Sequence, residues 1–524
     1  MHQSDNNEYR FKNLWLAIFI LLCLILAGYA FFILSDPFPI TSREGAALAP
    51  VYLMHKGLNP FDLAYNPEYN NSYVFIQQYI NLAGVNIGGM NLNTLRIEGH
   101  FFILASCLLI YFSCYKISGK RFTSLVFSLI MYASCLYLNT AEARADAYGL
   151  FFYTAAISSY LLFKNKSVKV LILVIASLLG FYTKLYFVAG LIIVGAYECM
   201  IFSVKRLLRF VFLSVFLSLL SYFIVERFIY PGYFHLVVKP FFLFGSTVKK
   251  DYLFSFQQLA VFLVLLLPLL TGVLFCGRKF LRSIPLVVIL SKKKYDLINA
   301  DVSTNGYLLF GLIASTAGTV LFLSTHIGNQ VTYLFHLMLP WYLLYFVSLF
   351  KNIDLPVNRL NGLAIICLAF FVLFLRPWNY ILKSKGDWNR IYSYIDKSEE
   401  ILGTPAFADY IIKQDKPLFN SGHSEFVLAT SDNFEGFKGY TTKDLVLFRG
   451  LDSSIINDTR NYYNKIKNEI VTKRFDLIIL DNTATIQDHY ADLIEKNYYK
   501  ADSANVYLPH SRHQINVFVY LKKQ

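Results

Sequence analysis

The stretch Thr41-Ser42-Arg43-Glu44-Gly45 stands between an apolar run, Leu14 to Leu34, and the turn-like Gly57-Leu58-Asn59-Pro60-Phe61. Reading these three pieces together decides the fold. The apolar run is long enough to cross a bilayer, which takes roughly 20 apolar residues. It carries no Ala-x-Ala-like cleavage site and therefore reads as an uncleaved anchor. The polar stretch then sets a carboxylate and a guanidinium just outside the membrane, at the start of a loop spanning residues 35–96. A structureless loop of that length would be unusual. Glu44 to Lys56 reads as a helix, Asn59-Pro60 as a turn, and Tyr65, Tyr69, Tyr73 and Phe75 as an aromatic run suited to an interface. Amphipathic helices lying along the membrane surface are expected here.

Working outward, the 524 residues are 56% hydrophobic and 17% aromatic, with a mean hydropathy of +0.45. The apolar residues fall in long runs rather than short core segments, which excludes an ordinary soluble chain. A formal net charge of +14 invites a nucleic-acid reading. The basic residues sit mainly between apolar runs, however, where membrane orientation explains them, so no nucleic-acid partner is expected. The seven cysteines all lie in or beside apolar runs, with no metal-type C-x-x-C pair. The polar C-terminal tail is therefore not held by disulfides.

At roughly 20 residues per crossing, the runs 14–34, 97–115, 122–140, 147–163, 168–183, 186–203, 208–228, 255–275, 306–325, 330–350 and 360–376 give about eleven spans. Tyr182-Thr183-Lys184 favours a re-entrant corner over one long helix through 168–203. With the N-terminus inside, the inner connections hold Arg10 and Lys12, then Lys116, Lys120 and Arg121, then Lys164, Lys166 and Lys169. They go on to Lys205, Arg206 and Arg209, a basic cluster between Arg278 and Lys294, and Lys351 with Arg359. These outnumber the outer Lys and Arg, as the positive-inside rule requires. The predicted class is a polytopic α-helical membrane protein with a C-terminal α/β extracytoplasmic domain. Residues 1–379 form the membrane part, with 35–96 as its first outer loop, and 380–524 form the outer domain. In that tail Asp387 to Glu400 and Pro405 to Gln414 read as helices, and Phe475 to Leu480 and Ile515 to Leu521 as strands. The tail has no Gly-rich phosphate loop.

Ionisable groups in or at the mouths of membrane spans are costly and mark function. On the outer side they are Arg43 and Glu44; Arg96 with Glu98 and His100; Glu142, Arg144 and Asp146; and Lys184 in its apolar corner. All open toward one face in this topology. Transfer of a group from a lipid phosphate needs a carboxylate to take a proton from the acceptor hydroxyl. It also needs cations to hold the leaving phosphate. Glu44 suits the first role, and Arg96, Arg144 and Lys184 the second. Asp146 either orients an arginine or ligates a metal. Plainer readings stand beside these: Glu44 as a residue favoured at a helix start, Arg144 and Asp146 as an interfacial ion pair, and Lys184 snorkelling. Asp36 competes with Glu44 as the acid, or serves the turn at Pro37. His235 and His326, in outer loops, read as solvated or supporting residues.

These residues stand in motifs that resemble the GT-C superfamily of polyprenyl-phosphate-sugar-dependent glycosyltransferases, above all its bacterial members related to protein mannosyltransferases and the aminoarabinose transferase of lipid A. Arg43-Glu44-Gly45 resembles the acidic motif after the first span, with Arg43 in place of the family's usual Asp. Gly57-Leu58-Asn59-Pro60-Phe61 resembles its Gly-x-x-Pro-Tyr turn, and Asp36 lies too far upstream to fit. Asn93-Thr94-Leu95-Arg96 resembles the Gly-Arg opening of the second span without its glycine. Ala143-Arg144-Ala145-Asp146-Ala147 resembles an Arg-x-Asp-Ala segment, and Tyr182-Thr183-Lys184 a Thr-Lys corner. Gly328-Asn329-Gln330-Val331-Thr332-Tyr333 resembles a Gly-x-x-x-Asn-Tyr loop, and Lys416 to Glu425 a strand-turn of the outer domain.

The resemblance implies a sugar transferase of the bacterial inner membrane, with the N-terminus cytoplasmic and the C-terminal domain periplasmic. Its donor would be a polyprenyl-phosphate sugar, and its acceptor an envelope glycan, lipid or protein such as lipopolysaccharide. Glu44 and Asp146 would be catalytic, and Lys184, Arg144 and Arg96 would bind the donor phosphate. Arg43, His235 and Tyr333 would support them. No organic cofactor is implied, and a divalent metal is left open. Transporters and flippases for lipid-linked glycans also have many spans, but often as repeated halves, and no repeat is visible. An O-antigen polymerase or ligase would place its arginines in later outer loops, without a charged first loop and a tail domain.

Overall fold

The computed structural model describes residues 2–61, 75–138, 144–201, 204–234, 238, 252–275, 300–323, 330–352, 357–375, 386–420, 464–481, 486–508 and 513–523. Helices α1 (His2–Ser35), α2 (Ser42–His55), α3 (Phe75–Gly88), α4 (Leu92–Ser118), α5 (Arg121–Tyr137), α6 (Ala145–Leu162) and α7 (Lys166–Thr183) come first. They are followed by α8 (Ala189–Ile201), α9 (Val204–Ile224), α10 (Tyr252–Leu265), α11 (Leu267–Phe275), α12 (Ala300–Leu323), α13 (Gln330–Asn352) and α14 (Val357–Leu375). Over its described residues, each crossing expected from the sequence overlaps one of these helices or a consecutive pair. Among the described residues four stretches, Asn13–Ser35, Leu92–Ser118, Lys166–Thr183 and Phe210–Ile229, are long and apolar enough to cross a membrane by length and composition alone. The chain is a polytopic α-helical membrane protein with a small C-terminal α/β domain.

The packing fixes which helix ends lie together. Phe102 on α4 meets Tyr148 on α6 with ring centroids 4.8 Å apart, and lower down Ser113 donates to Ser158 at 3.0 Å. So α4 and α6 run parallel. Between them in sequence, α5 returns antiparallel to α4, with the Ser128 hydroxyl donating to the Cys107 carbonyl at 2.8 Å. The first turns of α4 and α6 therefore share one end of the bundle, and the α4–α5 turn marks the other. At the first end α7 stops at Thr183. Lys184 is extended (φ −155°, ψ 125°), and one 3-10 turn, Leu185–Val188, leads into α8. This is the corner predicted at Tyr182-Thr183-Lys184.

The C-terminal domain holds α15 (Trp388–Asp396), β1 (Ile401–Gly403), α16 (Ala408–Lys413), β2 (Leu418–Asn420), β3 (Leu477–Asp481), α17 (Ile486–Asn497), β4 (Tyr498–Leu508) and β5 (His513–Lys522). The sheet order is β2-β1-β3-β5-β4, with β1 parallel to β2 and β3, and β5 antiparallel to β3 and β4. β3 is buried along its length, as its Leu477-Ile478-Ile479-Leu480 run requires. The Lys416 ammonium closes the C-terminal end of α15 by donating to the carbonyls of Ile395, Asp396 and Ser398.

The segment between α1 and α4 differs from the expectation of helices lying on the bilayer. α2 buries Ala47, Leu48, Ala49, Val51 and Leu53 in one core with Trp388, Ile391, Phe407, Ile411, Leu477 and Val506 of the C-terminal domain. Its residues 44–51 are all buried, and a helix that is apolar all round belongs inside a protein. Two contacts reinforce this junction. Phe38 stacks on Trp388 at 5.8 Å, and the Asp409 carboxylate accepts the Leu92 amide, the first N–H of α4, at 3.1 Å. The Asn59-Pro60 turn is present, with Asn59 accepting the Phe61 amide at 3.0 Å. Tyr65, Tyr69 and Tyr73 lie outside the described residues.

Candidate active site

Glu44 occupies the first turn of α2, after an extended Thr41 (φ −141°, ψ 159°). Its Oε2 accepts the Ile40 amide at 2.8 Å, so the side chain reaches back over the helix start, where the dipole favours an anion. Arg96, at the start of α4, grips the same carboxylate from the other side. Nε donates to Oε1 at 2.8 Å and Nη2 to Oε2 at 2.7 Å. The remaining guanidinium N–H groups close the loop behind it. Nη1 donates to the carbonyls of Ile33 (3.2 Å) and Asp36 (2.6 Å), and Nη2 to that of Phe38 (2.8 Å). Both side chains are wholly buried. Arg96, which the sequence reading groups with the phosphate-holding cations, here ties α1, the 36–40 link and α2 together around Glu44. The Asp36 side chain accepts the Phe38 amide at 3.1 Å, the turn chemistry proper to Asp-Pro.

A second constellation forms where α6 opens beside the α7 corner. Asp146 Oδ1 accepts from Lys184 Nζ and from the Tyr186 hydroxyl, each at 2.7 Å. Arg144 Nε approaches Oδ2 at 3.4 Å. His336, from α13, places Nδ1 at 3.3 Å from the Tyr186 hydroxyl and 3.6 Å from Asp146 Oδ1. The corner can fit here because position 149 is glycine. A Cβ there would stand 2.1 Å from the Phe187 ring, which follows Tyr186 on the 3-10 turn. Asp146 and His336 are buried, whereas Lys184 and Arg144 keep 12% and 11% of their side chains exposed. Among the described residues the cluster sets two cations beside one carboxylate, and both cations keep part of their surface open.

A third polar group lies between α3, α4 and α6. The Tyr148 hydroxyl donates to Asn81 Oδ1 at 2.6 Å. Glu98 packs its carboxyl on Gly84, and His100 Nδ1 lies 2.9 Å from the Arg96 carbonyl. Gln78 Oε1, Asn81 Nδ2 and Glu98 Oε2 are buried without a hydrogen-bond partner among the described residues.

The five residues expected to converge are therefore divided: Glu44 with Arg96, and Asp146 with Lys184 and Arg144. Arg43 sits in the first turn of α2 and Tyr333 in α13, but their side chains lie outside the described set, as do His235 and His326. Among the described residues no three His, Cys, Asp or Glu side chains stand together as a metal site. The sequence reading passed over Tyr186 and His336. Both had a legible signal. A histidine inside an apolar run is costly enough to mark a site, and Tyr186 stands two residues past the lysine of the corner.

The fold and this arrangement of charges at one end of the bundle define the class: a polytopic membrane protein whose fold is like that of ArnT. The solved structure that carries the likeness is ArnT from Cupriavidus metallidurans bound to undecaprenyl phosphate. It superposes with a TM-score of 0.52 at 10% sequence identity, over 95% of this chain and 97% of that one. The same protein in its apo state gives a TM-score of 0.48. No family model matches the sequence. No curated protein matches it either.

Proposed function

We propose that this protein is a membrane glycosyltransferase that moves a sugar from a polyprenyl-phosphate donor to a hydroxyl of a cell-envelope acceptor. The reading takes the outer face of a bacterial inner membrane as its place, with the N-terminus cytoplasmic, in line with the Lys and Arg excess on the connections assigned inside. One observation carries it. Asp146 holds two part-open cations, Lys184 and Arg144, at the end of a bundle whose fold matches, nearly end to end, a transferase solved with undecaprenyl phosphate. Two part-open cations held in a low-dielectric setting suit a phosphate leaving group.

In the proposed reaction the acceptor oxygen attacks the anomeric carbon from the face opposite the phosphate. The bond from that carbon to the phosphate oxygen breaks, with inversion, and the polyprenyl phosphate leaves with the electron pair. Lys184 and Arg144 bind its developing charge. Asp146 is a positioning residue, aligned in turn by Tyr186 and His336. Glu44 takes the acceptor proton in this scheme, and the Arg96 fork, which occupies both its oxygens, has to open for it. A metal is not needed to balance the step.

The test is release of polyprenyl phosphate by the purified full chain in proteoliposomes from synthetic polyprenyl-phosphate sugars, beside mass spectrometry of envelope glycans from cells with and without the protein. A sugar missing from those glycans names the donor. Translocation of intact donor without release sinks the transferase reading in favour of a flippase. Glu44→Gln should abolish release while insertion and donor binding persist. A wild-type rate would remove Glu44 from the chemistry and leave it as the partner of Arg96.

A further inference from the structure

At the end of the bundle opposite the Asp146 cluster, the α4–α5 hairpin carries a feature that the transfer reaction does not use. α4 stops at Gly119, whose left-handed φ of +72° lets its amide cap the Tyr115 carbonyl at 2.8 Å. The Ser118 hydroxyl accepts the Lys120 amide at 3.1 Å, and Ser124 donates to the Lys120 carbonyl at 2.8 Å, so the turn is tightly tied. It presents Lys116, Lys120 and Arg121 within six positions, and no Asp or Glu occurs anywhere in 99–141. Among the described residues none of these three cations has an acidic partner.

Directly above Arg121 the two helices part into a groove of about 450 Å³ lined by Leu108, Tyr111, Arg121, Phe122, Leu125 and Ser128. Apart from Arg121 its walls are almost wholly apolar. Leu108 and Leu125 are 55% and 41% exposed, and they continue an outward stripe through Phe101, Leu104 and Phe112. That stripe is the face a membrane helix turns to lipid. Ser128 offers the groove little polarity, because its hydroxyl is already bonded to the Cys107 carbonyl.

We infer that this groove is a binding site for an acidic glycerophospholipid, with an acyl chain lying along Leu108, Tyr111, Phe122 and Leu125 and the phosphate held by Arg121 and Lys120. Length argues for a leaflet lipid. From Ser118 to Leu108 the helix rises about 15 Å, close to half the roughly 30 Å hydrocarbon core. The groove thus takes one acyl chain of one leaflet and no long polyprenyl tail. Charge argues for an acidic headgroup, since cations flanking a cleft between membrane helices collect anionic lipid, whereas a zwitterionic headgroup brings its own ammonium. The positive-inside orientation puts this in the cytoplasmic leaflet.

The experiment is native mass spectrometry of the full-length protein released from nanodiscs of equimolar phosphatidylglycerol and phosphatidylcholine, repeated with undecaprenyl phosphate added. The expected result is retention of one phosphatidylglycerol in preference to phosphatidylcholine. Lys120→Gln with Arg121→Gln should cut that preference about fivefold per cation removed. Leu108→Trp, which fills the groove and leaves every charge in place, should abolish retention. Equal retention of the two phospholipids by the wild type overturns the proposal, as does displacement of phosphatidylglycerol by undecaprenyl phosphate. Retention by Leu108→Trp at the wild-type level reduces the site to a surface charge effect and also overturns it.

Discussion

Glu44 and Asp146 are both buried carboxylates at the same end of the bundle, and each has an arginine beside it. Their surroundings differ. Among the described residues Glu44 is matched by one cation, both its oxygens are occupied, and Arg96 completes its hydrogen bonding on backbone carbonyls of the same loop. Asp146 faces two cations, a tyrosine and a histidine, and the cations keep part of their surface open. A closed pair holds its loop together and releases its carboxylate for chemistry only when the fork opens. A group whose cations keep an open side can take a ligand from that side. The comparison separates two uses of the same residue types that no motif distinguishes.

The largest expected effect breaks the closed pair. Arg96→Ala leaves the Glu44 charge buried without compensation, which costs about 3–5 kcal/mol. Thermal unfolding in detergent should show a collapse in melting temperature, and Glu44→Leu with Arg96→Met should recover most of it, since apolar replacement of a buried pair is often neutral. If Arg96→Ala is as stable as wild type and loses only donor binding, the two clusters have exchanged roles. Next, Lys184→Ala should weaken donor binding by about 1.5–3 kcal/mol, the usual worth of a hydrogen bond to a charged group, with little change in melting temperature. A donor titration that does not move returns Lys184 to the snorkelling reading. A smaller loss, about 0.5–1.5 kcal/mol in donor binding, is expected for Tyr186→Phe, which removes one neutral donor from Asp146. Tyr182→Phe is its control, because among the described residues that hydroxyl bonds to Ser221, at 3.0 Å, and not to Asp146. Equal losses in the two would deny Tyr186 its positioning role.

The smallest effect belongs to a third buried carboxylate, outside the spans. Burial pushes the Asp409 carboxyl above its ordinary value, against the pull of Lys413. An acid whose folded-state pKa is raised binds its proton more tightly folded than unfolded. Its ionisation therefore removes stability as pH rises from the ordinary value through the raised one. Melting temperature followed upward across that window should fall slightly, and Asp409→Asn, which keeps an oxygen for the Leu92 amide, should flatten the slope. A steeper slope in Asp409→Asn would contradict the sign.

Much of this architecture was legible in advance. The apolar runs gave the crossings, Tyr182-Thr183-Lys184 gave the corner, and the Phe475 to Leu480 run gave the central strand. Pairing was not legible, because sequence tells which groups are charged and not which way a helix is turned. Arg96 and Glu98 stand two positions apart and so point to nearly opposite sides of α4, one to Glu44 and the other to Gly84. The burial of α2 was missed for a related reason. Its Ala47-Leu48-Ala49 core reads as a weak membrane-surface face until the C-terminal domain that covers it is in place.

The bond between Asp409 and the Leu92 amide joins positions 317 apart in the chain. A ribosome feeding this protein into the bilayer releases α4 long before it makes Asp409. The second crossing must therefore wait, its first amide unsatisfied by protein, until translation is nearly over. The junction of bundle and C-terminal domain therefore forms late, and a chain cut short before residue 409 is expected to insert its early helices yet leave α2 without the core that Ile411, Leu477 and Val506 give it.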